Sequence, residues 1–363
     1  MNIARIVSLR LGCGDLVPAW TVQRNCASGL QAIDSASQSL LLKKSNLILC
    51  GGTDALSNAP LTFSKEATRW FAQISSTRSF QLKLQKLRQF KPSFFKPIMS
   101  ILKGLTDPVV GINMGQTAEN LAKKFSIDRL ELDEYSLKSH QRAFKFRDEI
   151  HTPQIEAVYD TKGNYFDYDD GVRPDVVIEK LQKLRAVFDF PDGKITAGNS
   201  SQISDGSTML ILASETGIKK HDLNPIAVIK DIEWAGLNPA EMGLGPIHAI
   251  APIIKRQKIK KSEIDAWEIN EAFAAQVLGC QYALENNNYC VNNLNLKKSF
   301  GKIDENILNV AGGAISIGHP VGASGARIIL NLIHILKKNS WKKGIASICI
   351  GGGQGGAALV ELC

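Results

Sequence analysis

The feature that most restricts what this chain can fold into is a repeat. Ala27-Ser28-Gly29 recurs as Ala323-Ser324-Gly325. Each tripeptide opens a helix-like pattern that ends in a lysine pair, Lys43-Lys44 and Lys337-Lys338. An apolar run with a late cysteine follows each pair: Asn46–Cys50, then Ile345–Ile350, both running into glycines. Two copies of a helix followed by a buried strand describe a duplicated α/β unit, with sheets joined by crossover helices. The stretch between the copies differs in texture. It holds a basic segment, the helical pattern MGQTAENLAKKF, a second helix in SIDRLELDEYSLKSHQRAF capped near Ser126 or Asp128, the loop-like YDTKGNYFDYDDG and a third helical run, VIEKLQKL. It reads as an insertion.

With 363 residues, 44% hydrophobic and 21% charged, the chain is long enough for one or two substantial cores. No apolar run approaches the ~18 residues that cross a membrane, and Arg10 interrupts the N-terminal apolar stretch before it resembles a signal peptide. A cytoplasmic protein is expected. Seven cysteines, with no Cys-x-x-Cys pair and no metal-ligand spacing to the six histidines, argue against a disulfide scaffold or a metal site. The net charge of +8 is matched by residues 61–105 alone, where nine Lys and Arg face one acid, Glu66. That segment is either a solvated insertion or a patch for an acidic partner, such as a phosphate-bearing cofactor, a membrane surface or a protein. No nucleic-acid motif accompanies it, so nucleic acid is not expected.

Four short motifs carry candidate chemistry. Cys26, in NCASG, stands at the mouth of the first repeat helix, where unpaired N–H groups and the helix dipole favour thiolate. His319 lies between Gly318 and Pro320, directly before the second Ala-Ser-Gly, so the duplication brings it to the same sheet end as Cys26. Cys349 ends the last apolar run and is followed by three glycines, whose N–H groups suit an oxyanion or a phosphate. In WEINEAFAAQ, Asn270 is either a helix N-cap or a group that holds a water or carbonyl oxygen in a site.

Together and in this order, NCASG, NEAFA, GGAISIGHPVGASGAR and CIGGGQG resemble the four active-site loops of the thiolase family. TAGNSSQISDGSTMLILAS resembles the family's pantetheine-lining segment, and DPVVGINMGQTAENLAKKF the start of its cofactor-covering loop domain. The resemblance implies duplicated βαβαβ domains in an αβαβα arrangement with an inserted loop domain. Its parts would be an N-terminal domain over 1–60 completed by 199–222, a loop domain over 61–198 and a C-terminal domain over 223–363.

It also implies roles. Cys26 would carry the acyl group, and His319 would activate it. Cys349 would move the α-proton of acetyl-CoA. Asn270 would hold an oxyanion-hole water, and the N–H groups of Cys26 and Gly351 would form the second hole. Met114, Ala197, Ser201, Ala272 and Phe273 would line the coenzyme A site. Coenzyme A and acyl-CoA thioesters are then substrates, with no permanently bound cofactor and no metal, and a homodimer or homotetramer is expected. The long basic insert resembles the fatty-acid-oxidation branch and suggests a hydratase/dehydrogenase partner subunit or a membrane surface.

Two departures qualify the match. Family members carry a strand, a helix and a strand ahead of IARIVSLRLG, so the first sheet is expected to be incomplete, most simply through a misplaced start. Asn113 stands where some acetoacetyl-specific members have His. Two other readings are a ketoacyl synthase, against which Cys349 argues, and an inactive acyl-CoA-binding relative.

Overall fold

The computed structural model describes residues 2–363. A short helix, Ile3–Arg10, and an extended stretch lead to a single helical turn, Asn25–Ala27, and then to α1 (Ser28–Leu41). Leu30, Ile33 and Ala36 recur at helical spacing and are buried. Lys43, in the left-handed region at φ 56°, turns the chain out of the helix. The strand β1 (Leu47–Ala55) follows, longer than the apolar run suggested because it continues through both glycines.

Residues 61–105 form a hairpin-like excursion. Two-residue strands Leu61–Thr62 and Ile98–Met99 pair at its base. Above them stand α2 (Lys65–Ser76) and α3 (Phe80–Leu87). Trp70 holds the excursion together, with its ring against Phe71, Phe90 and Phe94 and its indole N–H on the carbonyl of Lys86 at 2.9 Å.

Next come α4 (Met114–Lys124) and α5 (Arg129–Lys145). Asn113 caps α4 in a reciprocal box with Gln116, and Asp128, not Ser126, caps α5. The loop-like stretch contains a small ladder, Val158–Tyr159 with Tyr165–Phe166. Only Ile178–Gln182 of VIEKLQKL is helical. The strand β2 (Asp205–Ala213) then returns to lie antiparallel to β1, with Cys50 opposite Leu210.

The second half holds β3 (Ala227–Gly236), α6 (Gly245–Gln257), β4 (Ala266–Ile269), α7 (Ala274–Glu285), α8 (Val321–Lys338), β5 (Lys343–Ile350) and β6 (Gln354–Leu362). Its four-stranded sheet has the order β3-β6-β5-β4, with β4 parallel to β5 and the other pairs antiparallel. α8 packs on α1 and touches strands of both sheets, so the two repeat helices form the layer between the sheets. α6 covers the far face of the second sheet. Among the described residues the first sheet has two strands, and Leu49, Met209 and Ile211 on its members are exposed. The inserted helices α4 and α5 share their core with the second half: Ala118 and Leu132 cluster with Ala274 and Ala275 of α7.

The repeated tripeptide is where the halves meet. A Cβ on Gly29 would lie 2.7 Å from the backbone nitrogen of Ala326, and one on Gly325 would lie 2.7 Å from that of Leu30. Each glycine is therefore the point at which one helix admits the backbone of the other.

Candidate active site

Cys26 sits in the turn just ahead of α1 rather than in the helix proper. The residue before it, Asn25, has a left-handed backbone at φ 44°. Its side-chain amide donates to the carbonyl of Gly351 at 2.9 Å, which ties the cysteine turn to the glycines after Cys349. The N–H groups of Gly351 and of Cys26 itself face the sulfur and favour its thiolate, but burial outweighs them and the Asp54 carboxylate adds to burial. The thiol is held above its ordinary range, so Cys26 rests protonated. The sequence expectation of a thiolate is corrected here: the helix end contributes less than removal of the sulfur from water.

Cys349 is fully buried at the end of β5, packed with Met242, Ala272, Met114 and Phe273. Burial raises its thiol well above the usual value, and the nearby Cys26 sulfur raises it further. Gly352 and Gly353, at φ 94° and 75°, turn the chain back into β6.

Asn270 directly follows β4, beside β5. Its N–H donates to the carbonyl of Ser347 at 2.9 Å. The helix α7 starts only at Ala274, with Phe273 in the cap position, so Asn270 is not a helix cap. Both polar atoms of its side chain are buried without a partner in the protein, which leaves them free for a substrate oxygen or water.

His319 is buried, and its Nδ1 pairs with the hydroxyl of Ser324 at 2.6 Å, the serine of the second Ala-Ser-Gly. Nε2 has no partner. Burial first, then the cation of Arg327, pushes the imidazole down to about 3. The ring is neutral at pH 7 and able to accept a proton. Gly318 has φ 80°, and a Cβ there would strike the Ser204 hydroxyl. Behind this loop Glu271 accepts from Tyr135, Ser139 and Asn309 at 2.7–3.1 Å and from the N–H of Ile315 at 3.3 Å. At the other end of the loop, Asp54 from β1 accepts from Gly322 at the start of α8 at 3.0 Å.

The remaining sequence-derived residues fall around this centre. Ser201 donates its N–H to Ala272 at 3.0 Å, and the adjacent Ser200 bridges Phe273. Met114 approaches Gly351, its sulfur 3.2 Å from where a Cβ would stand. Ala197 lies exposed on the turn before Ser201 and touches none of the four central groups among the contacts described. Sequence reasoning missed Asn25, Asp54, Glu271, Ser324 and Arg327. Asn25, Glu271, Ser324 and Arg327 all lie inside the four quoted motifs, which were the signal for them; nothing local marked Asp54.

Two like halves that bring the turn of one thiol against the loop of another, with a buried imidazole and an unpaired amide on neighbouring loops, suit the chemistry of acyl transfer. Residues 1–216 match the family model "Thiolase, N-terminal domain" and residues 223–362 match "Thiolase, C-terminal domain". The human mitochondrial 3-ketoacyl-CoA thiolase is 37% identical over 366 residues, which cover 99% of this chain and 82% of that protein. A probable acetyl-CoA acyltransferase of Staphylococcus aureus is 36% identical, covering 99% and 83%. Among solved structures, the Bacillus anthracis acetyl-CoA acetyltransferase superposes with a TM-score of 0.84 at 36% identity, covering 100% of this chain and 83% of that one. The human mitochondrial enzyme in complex with CoA superposes at 0.82 and 35% identity, covering 99% and 82%. The chain belongs to the thiolase family.

Proposed function

We propose that this thiolase cleaves 3-oxoacyl-CoA with coenzyme A, and runs the reverse condensation of acetyl-CoA, through an acyl group carried on Cys26. The Cys26 thiol attacks the keto carbon while its proton passes to neutral His319. The resulting oxyanion lies toward the N–H groups of Cys26 and Gly351 or toward Asn270 and His319, fixed donors for a developing negative charge. The bond between C2 and C3 then breaks, and the acetyl-CoA carbanion takes the proton of Cys349. Coenzyme A attacks the thioester, its thiol proton going to the Cys349 thiolate, and His319 returns its proton to Cys26. Splitting the reaction at an acyl-enzyme gives two easier steps.

The observation that carries this reading is the convergence of the Cys26 turn with the Gly351 and Cys349 loop, through Asn25 and the Gly351 N–H. A ketoacyl synthase needs no thiol for an α-proton, so Cys349 beside Cys26 favours the thiolase. The test is turnover of acetoacetyl-CoA and longer 3-oxoacyl-CoA with free coenzyme A, against malonyl thioester on a carrier protein. An acyl adduct on Cys26, seen by intact mass and absent in Cys26→Ala, is expected; turnover of the malonyl substrate alone would reverse the assignment.

We also propose that residues 61–105 dock the enzyme on an anionic lipid surface. Phe80, Leu82 and Leu84 of α3 are exposed beside Lys83 and Arg88, which are exposed as well. Among the described residues only Lys91 of the nine cations approaches a carboxylate, Glu66 at 3.9 Å. Exposed apolar side chains interleaved with unpaired cations fit a lipid interface better than a solvated loop.

A further inference from the structure

The imidazole of His319 is fixed from three directions. Its backbone N–H donates to the carbonyl of Gln202 at 3.0 Å. Ser324, in the first turn of α8, holds Nδ1. The third hold comes from the next turn of the same helix. Arg327 donates from Nη2 to the carbonyl of Gly318 at 2.6 Å and from Nη1 to that of Ile317 at 3.4 Å. One planar guanidinium thus grips the two peptides directly ahead of the histidine, which a lysine ammonium cannot do with the same geometry.

Taking this cation out of water is costly, and the protein surrounds it with acids. Asp169, Glu268 and Glu271 all act on Arg327. His151, which pairs through Nε2 with the carbonyl of Ala311 at 2.8 Å, lies on the same network beside Asp169 and Arg327. Glu268 is 3% exposed and has one carboxylate oxygen without a partner. Together with Asn270, Asn331 and Arg327 it lines a small chamber behind the active-site loops. A half-buried cation set among three acidic side chains and spent on two backbone carbonyls is an expensive way to hold a loop, unless the loop has to be held to a fraction of an ångström.

We propose that Arg327 is a positioning residue of the thiolase reaction, its guanidinium gripping the Gly318 and Ile317 carbonyls so that His319 presents Nε2 to the active site in one fixed direction. The proposal rests on the reading of His319 as the proton acceptor for Cys26. Arg327 is also the charged group that bears on His319, so its removal frees the imidazole to take up protons.

The test uses the full chain carrying Arg327→Met, Arg327→Lys and, as reference, His319→Ala, assayed for thiolysis of a 3-oxoacyl-CoA. Arg327→Met is expected to lower kcat about 100-fold, with KM for coenzyme A and for the 3-oxoacyl-CoA within about 2-fold, and to move the acid limb of the pH–kcat profile upward. Arg327→Lys keeps a cation in the chamber and is expected to recover part of kcat; it carries the test if the Met variant does not fold. Unchanged kcat in a folded Arg327→Met protein overturns the proposal, and so does a joint loss of kcat and KM with the acid limb unmoved. A His319→Ala enzyme with normal kcat would instead overturn the functional reading beneath it.

Discussion

The three groups proposed to move protons, Cys26, His319 and Cys349, are all shifted by removal from water. Cys26 and Cys349 are kept as thiols and His319 is kept as neutral imidazole. A thiol that holds its proton suits the role proposed for Cys349, which gives that proton to a carbanion and recovers one from coenzyme A. Cys349→Ala is therefore expected to slow thiolysis by about 10²–10⁴-fold while Cys26 still accepts an acetyl group from acetyl-CoA, read by intact mass. Normal thiolysis in that variant would remove Cys349 from the mechanism. Burial of Glu268 has a separate consequence for stability. Its carboxyl is pushed up to about 8 from an ordinary 4.5. Between those values the folded chain keeps a proton that the unfolded chain gives up, so this contribution is present at low pH and is lost as pH rises toward 8. The sign for His319 is opposite. Held at about 3 against an ordinary 6.5, its contribution is present above 6.5 and is lost as pH falls. From pH 6.5 to 8 the Glu268 contribution remains to titrate, and the Tm of Glu268→Gln is expected to decline less over that window than wild type. Parallel slopes would show that the carboxyl is not held neutral.

Periodicity marked out α1, α8, β1 and β5, because each has one apolar face or a fully apolar run. It did worse where short elements depend on distant partners. The ladder at Val158–Tyr159 exists only by pairing with Tyr165–Phe166, and VIEKLQKL is cut short after a single turn. Cys26 and His319 were legible because each sits in a break just ahead of a repeat helix, Cys349 because three glycines follow its strand, and Asn270 because it stands where β4 gives way to α7. The role of Arg327 was not, since a cation on a helix looks like a solvated residue until the acids around it are placed by other parts of the chain. The basic insert was legible as a charge run, but its exposed Phe80 and Leu82 became meaningful only once Trp70, Phe90 and Phe94 were seen to fill its small core. The protein is expected to co-sediment with vesicles containing about 30% anionic lipid at low salt and to be released at about 0.5 M salt, where screening is nearly complete. Lys83→Glu with Arg88→Glu should lower that binding at least about 10-fold and leave thiolysis unchanged. Equal binding to neutral vesicles, or capture of a protein subunit without lipid binding, would refute the lipid assignment.

At the scale of the whole molecule, the duplicated halves meet through the closeness of two helices, and the proposed active site is built at their starts. Cys26 precedes α1 and His319 precedes α8, and the helices touch at Gly29, three residues beyond Cys26, and at Gly325, six beyond His319. Both glycines have ordinary backbone angles, so space is what they supply. A methyl group on Gly325 would meet the Leu30 nitrogen at 2.7 Å and the Ala27 Cα at 3.3 Å. Backbone cannot yield as a side chain tip does, so the helices must separate. Gly325→Ala is expected to cost about 1–3 kcal/mol, a drop of several degrees in Tm. Separation of α1 from α8 also separates the thiol from the imidazole, and a misplacement of about 1 Å is worth about 100-fold in rate. So kcat should fall more steeply than stability alone explains, at temperatures where the variant is fully folded. Gly236→Ala is the control, because a Cβ there meets nothing within 4 Å, and it should change neither Tm nor kcat. If Gly325→Ala lost stability and kept its kcat, the repeat would be a packing device with no hold on the chemistry, and the spacing of the two helices would have to be discarded as what sets Cys26 against His319.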